Sequence, residues 1–262
     1  MMLTLLSLYL LLCVGCGVLQ RKLIYFPRKI DPKVVVVMAA REGFSPWTNN
    51  LGSIIGWKIP ATRKSTGSVL IVHGNAGSAL DRGYFAQPIH DAASMDVYVL
   101  EYPGYGARDG SPSEKSFLAA ADQAFAMLSR TGSIYIVSES LGTGVAAHLA
   151  KTHHADIAGL ALFVPYDDFA SLAQDKMPFL PISLILIDRF HPSAWLKEFQ
   201  GPIQFVLAEN DQVIPTKFGQ RLHDGYAGSK KLQITHGAGH NDVSAQSPEW
   251  WKTVFSFFEQ HR

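Results

Sequence analysis

The sequence predicts an α/β fold in which a mostly parallel central sheet is covered by helices on both faces. Short apolar runs recur along the chain, and from about residue 34 onwards helical patterns alternate with them. Such runs are typical of parallel strands, because helices on both faces leave neither side of the sheet to water. The length of 262 residues and the 47% share of hydrophobic residues suit one domain with a large core.

The elements are predicted from their apolar patterns and end signals. Predicted strands lie at residues 34–38, 54–59, 69–72, 97–100, 134–137, 159–164, 203–207 and 232–234. Predicted helices lie at residues 113–128, 142–151, 216–226 and 248–258. Ser113 is the predicted N-cap of the first helix, because its hydroxyl can accept a backbone N–H of the first turn. Residues 166–199 break the alternation and include an apolar stretch at 179–187, so we predict a small lid there.

Charge and cysteine usage exclude several kinds of site. The formal net charge is +1, so nothing indicates a nucleic-acid partner. The two cysteines, Cys13 and Cys16, both lie in an apolar N-terminal stretch. The rest of the chain therefore has neither a disulfide nor a thiolate metal site, and no metal or cofactor is expected. The sequence does not indicate an oligomeric state.

Residues 1–20 are predicted to form a membrane anchor before a single domain at residues 21–262. The first 19 residues contain no charged side chain, and a helix that crosses a bilayer needs roughly 17 to 25 apolar residues. A cleaved signal peptide, or a lipoprotein signal lipidated at Cys16, is an alternative; either would place the domain outside the cell. The positive-inside rule instead predicts a cytoplasmic domain, because a basic cluster follows the stretch. The cluster consists of Arg21, Lys22, Arg28 and Lys29.

A candidate nucleophile lies between a predicted strand and a predicted helix. Residues 138–142 read Ser-Glu-Ser-Leu-Gly, and a sharp turn here would lift the middle serine, Ser140, above the sheet. The positions two before and two after it must be small, because the turn brings two backbones together. Ser138 and Gly142 meet this requirement. Ser138 suits the nucleophile position less well, because Ile136 would then occupy the crowded position before it.

A serine hydroxyl needs a histidine base and a carboxylate that orients the histidine. His240 is the predicted base, because residues 237–242 (Gly-Ala-Gly-His-Asn-Asp) form a glycine-rich loop after the last predicted strand. His236, at the end of that strand, is the second choice. The histidines on or just after the predicted helix at 142–151 are expected to be solvated or to pack.

Asp211 is the predicted acid, because it follows closely on the strand at residues 203–207. Glu209 is a close alternative. Asp167 and Asp168 follow the preceding strand and are further alternatives. Asp242 is expected to lie at the N-terminus of the last helix. Nucleophile, acid and base then follow one another in that order along the chain.

Two backbone amides are expected to stabilise a developing oxyanion. The amide of Leu141 lies at the start of a predicted helix, whose dipole assists it. The amide of Asn75 lies in the loop at residues 72–78 (Val-His-Gly-Asn-Ala-Gly-Ser), whose glycines let the backbone approach the site. His73 is expected to support this loop through hydrogen bonds.

Several motifs together resemble the alpha/beta-hydrolase superfamily over residues 23–258. The chain is similar to the small membrane-associated alpha/beta-hydrolase-domain proteins, some of which remove fatty acyl groups from cysteines. The resemblance rests on residues 23–27 (Leu-Ile-Tyr-Phe-Pro), 73–77 (His-Gly-Asn-Ala-Gly), 101–106 (Glu-Tyr-Pro-Gly-Tyr-Gly), 109–114 (Asp-Gly-Ser-Pro-Ser-Glu), 138–144, 210–215 and 239–242 (Gly-His-Asn-Asp). It implies the fold of that superfamily and a triad of Ser140, Asp211 and His240.

The expected activity is two-step acyl transfer from a carboxylic ester or thioester. The anchor and the apolar stretch at 179–187 favour a small-molecule or lipid-like substrate with an apolar acyl part. A peptidase of the same fold is an alternative, although the chain has no room for the large domain that selects peptides in such enzymes. A non-catalytic membrane adaptor is a second alternative, and the complete triad argues against it. Residues 166–199 are alternatively a membrane-docking surface.

Overall fold

The computed structural model describes residues 2–128 and 132–262, and its central feature is a sheet between two layers of helices. The strands are β1 (Phe26–Pro27), β2 (Ser45–Thr48), β3 (Ile54–Ile59), β4 (Gly67–Val72), β5 (Ala76–Gly77), β6 (Asp96–Leu100), β7 (Ser133–Glu139), β8 (Ile157–Phe163), β9 (Ile203–Ala208) and β10 (Lys230–Thr235). The helices are α1 (Met2–Ile24), α2 (Pro32–Arg41), α3 (Gly83–Ala92), α4 (Glu114–Ala126), α5 (Gly142–Thr152), α6 (Phe169–Lys176), α7 (Ile182–Ile185), α8 (Pro192–Trp195), α9 (Thr216–Gly225) and α10 (Pro248–His261).

The main sheet has the strand order β10-β9-β8-β7-β4-β6-β3-β2. Its strands are parallel from β10 to β6, whereas β3 pairs with β6 and with β2 in antiparallel fashion. A small parallel pair, β1 and β5, lies outside this sheet. The predicted α/β fold with a mostly parallel sheet is confirmed.

Both faces of the sheet are buried under helices. Neighbouring residues of a strand point to opposite faces, so on β4 Leu70 packs with the α4 and α5 side while Val69 packs with the α3 and α10 side. Every residue of β4 and β8 is buried. This burial on two sides explains why these strands appear in the sequence as continuous apolar runs.

The predicted strand at residues 34–38 is wrong, because this stretch lies within α2. A carboxylate oxygen of Asp31 accepts the backbone N–H of Lys33, and a proline occupies the first helical position. Both features favour a helix start over a strand. Val35 and Ala39, four residues apart, face the core. The valines beside them are exposed. The burial pattern therefore follows the helical period, although β-branched valines favour strands.

The other predicted elements are present. The predicted helices correspond to α4, α5, α9 and α10, and the Ser113 hydroxyl caps α4 by accepting the N–H of Ser116 at 3.0 Å. Helix α3 and strand β2 were not predicted. Both contain a proline, Pro88 and Pro46, at a position that usually signals the end of an element.

Helix α1 extends beyond the predicted anchor, up to Ile24. Within residues 2–128 and 132–262, it is the one helix long and apolar enough to cross a membrane, judged by length and composition. Most of its side chains are exposed, but Cys13 and Gln20 are buried. The chain between β8 and β9, which we call the β8–β9 segment, carries α6, α7 and α8 and packs against α1.

Candidate active site

The candidate nucleophile Ser140 lies on a sharp turn between β7 and α5. Its backbone has a φ of 53°, in the left-handed region that non-glycine residues rarely adopt. The N–H of Ser140 donates to the Phe163 carbonyl at 2.9 Å, and its carbonyl accepts the N–H of Thr143 at 2.9 Å. These two bonds hold the strained turn in place, and strain of this kind is concentrated at functional sites.

The residues two positions before and after Ser140 show how closely the backbones approach. A Cβ atom at Gly142 would lie 2.3 Å from the Val72 carbonyl oxygen of β4, so only glycine fits there. The Ser138 hydroxyl is buried and has no hydrogen-bond partner among the described residues. A group with neither a base nor access to solvent is a poor candidate nucleophile, in contrast to Ser140.

A chain of two hydrogen bonds joins Ser140, His240 and Asp211. The Nε2 atom of His240 lies 3.1 Å from the Ser140 hydroxyl, and its Nδ1 atom lies 2.7 Å from Asp211 Oδ2. The other oxygen of Asp211 accepts the backbone N–H groups of Val213 and Ile214 at 2.8 and 2.7 Å. The buried carboxylate is therefore fixed by three donors and can hold the imidazole in one tautomer.

His236 and Glu209, the alternative base and acid, pair with each other. His236 Nδ1 lies 3.1 Å from a Glu209 oxygen, and the His236 side chain is 85% exposed. The N–H of Gly237 donates to Glu209, and this bond, aided by His236, lowers the pKa of the Glu209 carboxyl. In the described part of the chain neither residue has a hydrogen bond to Ser140.

Asp167 and Asp168 also have partners of their own. Asp167 forms a two-point ion pair with Arg221. Asp168 caps α6 and lies 2.7 Å from Nδ1 of His191. Asp167 therefore joins the β8–β9 segment to α9, and Asp168 has its partners within the segment.

The expectation that Asp242 begins the last helix is wrong. Its carboxylate accepts the N–H of Gly239 at 2.7 Å, and α10 begins later, at Pro248, with Ser247 as its N-cap. An aspartate three residues after the donor closes a local loop instead of a helix start. The bond closes the loop that carries His240.

The loop after β4 passes directly over Ser140. A Cβ atom at Gly74 would lie 3.4 Å from Cβ of Ser140. Among the described residues, the backbone N–H groups of Asn75 and Leu141 have no protein acceptor. They are therefore free to donate to a substrate oxygen. His73 is buried beneath the loop, with Nδ1 2.7 Å from the Gly74 carbonyl.

The side chain of Asn75 joins this loop to the end of α1, a connection that the sequence did not indicate. Its Oδ1 accepts from the Tyr105 hydroxyl at 3.0 Å and from the Phe26 N–H at 3.2 Å, and its Nδ2 donates to the Ile24 carbonyl. Burial raises the pKa of Tyr105, so its hydroxyl stays protonated and can donate. The position of the Asn75 amide thus depends on the chain at the end of the N-terminal helix.

Glu139, directly before Ser140, joins three parts of the site. Its buried carboxylate lies 3.1 Å from Nε of Arg82 and accepts the Tyr84 hydroxyl at 2.9 and 3.0 Å and the Ser244 hydroxyl at 3.0 Å. Burial, together with the Glu139 charge, raises the pKa of Tyr84, which therefore remains a donor. Ser244 belongs to the chain that follows His240, so Glu139 links the nucleophile turn to the base. No role was predicted for Glu139, and the only signal for one was a charged residue within the nucleophile motif.

Replacing Glu139 with glutamine is expected to lower stability by about 3 kcal/mol, because it leaves the buried Arg82 cation without a counter-charge. For a chain of this size the melting temperature should fall by roughly 6–12 °C. Thermal unfolding of the detergent-solubilised full chain measures this. The matched control is Glu249→Gln, which breaks an exposed pair with Lys252 and should lower the melting temperature by about 2 °C at most. Equal shifts in the two variants would contradict the structural role of Glu139.

A cavity of about 360 Å³ opens beside Ser140 and is almost wholly apolar. One wall comes from the turn and loops that carry Ser140, Leu141 and Asn75. Helix α1 supplies another wall with Cys16, Gln20, Leu23 and Ile24. The β8–β9 segment closes the cavity with Met177, Leu180, Ile182, Ile185 and Leu186. The sequence did not predict that the N-terminal helix forms part of the candidate site.

Polar contacts hold α1 against the β8–β9 segment. The Gln20 side chain donates to the Ile185 carbonyl at 2.9 Å and accepts the Ile187 N–H at 2.7 Å. Buried Asp188 accepts from Arg21 at 3.1 and 3.2 Å and from the Tyr25 hydroxyl at 2.9 Å. Burial and the Asp188 charge raise the pKa of Tyr25, so its hydroxyl stays protonated. These contacts therefore fix α1 against the β8–β9 segment beside the cavity.

No group of three or more histidine, cysteine or carboxylate side chains in residues 2–128 and 132–262 has an arrangement that could hold a metal ion. The described residues do bring a serine, a histidine and a carboxylate together beside an apolar cavity. This arrangement can carry out nucleophilic attack by the serine with proton transfer to the imidazole.

Comparison with known proteins gives the family. An uncharacterized protein of Mycobacterium tuberculosis is 30% identical over 230 residues, which cover 85% of this chain and 81% of that protein. The alpha/beta hydrolase domain-containing protein WAV2 of Arabidopsis thaliana is 26% identical over 217 residues, covering 74% of this chain and 70% of WAV2. The chain belongs to the alpha/beta-hydrolase superfamily.

The solved structures agree with this alpha/beta-hydrolase fold. The esterase Pf2001 of Pyrococcus furiosus superposes with a TM-score of 0.61 at 15% identity, covering 91% of this chain and 97% of the esterase. At that identity the likeness concerns the fold alone. No family model matches the sequence.

Proposed function

We propose that this alpha/beta-hydrolase is a membrane-anchored serine hydrolase that cleaves carboxylic esters or thioesters with an apolar acyl part. The observation that carries the proposal is the hydrogen-bond chain from Asp211 through His240 to Ser140, at 2.7 and 3.1 Å. The family and its esterase-like neighbours support hydrolase chemistry.

In the first step, the Ser140 hydroxyl oxygen attacks the substrate carbonyl carbon while His240 Nε2 accepts its proton. Asp211 stabilises the resulting imidazolium through Nδ1. The carbonyl oxygen becomes an oxyanion that accepts hydrogen bonds from the backbone N–H groups of Asn75 and Leu141. His240 then gives its proton to the leaving alcohol or thiol as the bond from the carbonyl carbon breaks, and the acyl group remains on Ser140.

In the second step, water replaces the leaving group. His240 takes a proton from the water, whose oxygen attacks the acyl carbon, and the same two amides hold the second oxyanion. The bond to Ser140 breaks, the serine recovers its proton from His240, and the carboxylic acid leaves.

The preference for an apolar acyl part follows from the cavity beside Ser140. Its lining offers few polar groups to a substrate, and an acyl chain placed there leaves water. In this proposal α1 is the anchor and the β8–β9 segment is the lid. The basic residues after the apolar stretch favour a cytoplasmic domain.

A panel of esters that differ only in acyl chain length tests the substrate class. Burial of one methylene contributes about 0.8 kcal/mol, so kcat/KM should rise by up to ~4-fold per methylene until the cavity is full. Highest activity on acetyl esters would contradict the apolar preference. If a fluorophosphonate probe failed to label the folded protein, the result would favour the non-catalytic adaptor.

A further inference from the structure

Helix α1 and the β8–β9 segment pack against each other, and both expose apolar side chains. Along the segment, Phe179 is 87% exposed and Leu184 is 82% exposed, and Ile187 is exposed beside them. Helix α1 exposes leucines and valines over most of its length. None of Phe179, Leu184 and Ile187 lines the cavity, so these side chains have no role in enclosing the acyl site.

The contacts between α1 and the segment run along much of the helix. The Tyr9 hydroxyl donates to the Phe179 carbonyl at 2.9 Å, and Arg21 pairs with Asp188. From Tyr9 to Arg21 the helix rises by about 18 Å, whereas the hydrocarbon core of a bilayer is about 30 Å thick. If α1 lies in a membrane with Arg21 at its surface, the packed segment therefore reaches about the middle of the bilayer with it.

The backbone of the β8–β9 segment next to α1 has hydrogen-bond partners in α1. The backbone after α7 is irregular, and such backbone is tolerated in hydrocarbon only where protein groups satisfy it. Gln20 meets the Ile185 carbonyl and the Ile187 N–H. Lys22 and Lys29 are exposed just beyond this level, where anionic headgroups would attract them. These positions put the membrane surface near residue 21.

The cavity lies between these two elements. Cys16, Gln20 and Leu23 of α1 line one side and Ile182 and Ile185 of α7 line the other, while Ser140 lies at the polar end. An acyl chain that runs from Ser140 between α1 and α7 thus points toward the leaflet and away from the aqueous face.

Building on the proposed hydrolase function, we propose that the β8–β9 segment docks in the bilayer and that the substrate's acyl chain reaches Ser140 directly from the leaflet. The partner of the apolar surface is the lipid bilayer. The substrate class is an acyl ester or thioester whose chain already resides in the membrane.

The docking is tested on the full chain in phosphatidylcholine vesicles that contain lipids with nitroxides deep in the acyl region. A bimane fluorophore is attached at Phe179→Cys or Leu184→Cys after Cys13 and Cys16 have been replaced with serine. The matched control is Leu51→Cys, since Leu51 is 89% exposed at the turn between β2 and β3. Quenching at 179 and 184 should exceed quenching at 51 several-fold. Equal quenching at all three positions would overturn the proposal, and a second copy covering the surface would produce that result.

Access from the leaflet is tested with the double variant Phe179→Asp/Leu184→Asp. Hydrolysis of a long-chain ester embedded in vesicles should fall at least tenfold, while hydrolysis of a short water-soluble ester and fluorophosphonate labelling should stay at the level of Leu51→Asp. Unchanged hydrolysis of the embedded ester would overturn leaflet access. Absence of labelling in the unaltered protein would instead count against the hydrolase function, and the quenching result would still stand.

Discussion

Replacing Ser140 with alanine is expected to abolish labelling by a fluorophosphonate and to lower kcat by about 10⁶-fold. The alanine has no oxygen to attack the carbonyl, and residual hydrolysis would come only from the oxyanion donors and binding. Gel fluorescence after labelling measures the first effect, and turnover of an ester substrate measures the second. Because Ser140 lies 3.1 Å from His240, His240→Ala should lose labelling as well.

The neighbouring serine provides the matched control. Ser138 lies two residues before Ser140, and its buried hydroxyl has no partner in the described part of the chain. Ser138→Ala removes that hydroxyl without leaving another group unpaired, so labelling and stability should be retained. If labelling were lost in Ser138→Ala and kept in Ser140→Ala, the assignment of the nucleophile would be reversed.

Replacing Asp211 with asparagine is expected to lower kcat by about 10⁴-fold without unfolding the protein. The asparagine carbonyl can still accept the N–H groups of Val213 and Ile214, so the loop keeps its shape. An amide cannot stabilise the imidazolium, and it favours the wrong tautomer of His240. Steady-state kinetics together with a melting curve separates the chemical loss from unfolding.

Glu209→Gln is the control for this prediction. Glu209 contacts the exposed His236 and the Gly237 backbone and has no bond to His240 within residues 2–128 and 132–262. Its activity should stay within about threefold of the unaltered protein, because exposed pairs contribute little. A large loss in Glu209→Gln and a small one in Asp211→Asn would exchange the two roles.

The candidate site could be predicted largely because its residues lie at the ends of strands. Strand ends of a parallel sheet meet at one edge, so Ser140, Asp211 and His240 could be placed near one another from chain order alone. Choosing Asp211 over Glu209 was harder, because both follow β9 closely. The structure pairs each with a different histidine, and that choice depends on the loop geometry at Gly237 and Gly239.

The errors have local causes. At residues 34–38 the valines indicated a strand, but the cap at Asp31 and the following proline set a helix. At Asp242 a side chain that could have begun a helix closes a loop instead. In both places a side-chain hydrogen bond helps to set the backbone, and composition or periodicity does not reveal such a bond.

Contacts between distant segments could not be predicted. Gln20 lies near the end of an apolar helix and Asp188 in an irregular stretch, and no partner was predicted for either residue. Nothing in the sequence states that Gln20 binds the chain at Ile185 and Ile187 or that Asp188 binds Arg21. The buried charge at Glu139 is a similar case, because its partners Arg82 and Ser244 lie far from it in the sequence.

The contact between Gln20 and Ile185 has a consequence for synthesis on the ribosome. The two residues are 165 positions apart, and at 5 to 20 residues per second the ribosome needs roughly 10–30 s to make the intervening chain. During that interval α1 is already complete, and of the three protein partners of the Gln20 side chain only the Gly17 carbonyl has been made. Until residues 185–188 have been made, the Gln20 side-chain amide lacks two of its protein partners and Arg21 lacks Asp188. The hydrogen bonds that join α1 to residues 185–188 can therefore form only late in synthesis.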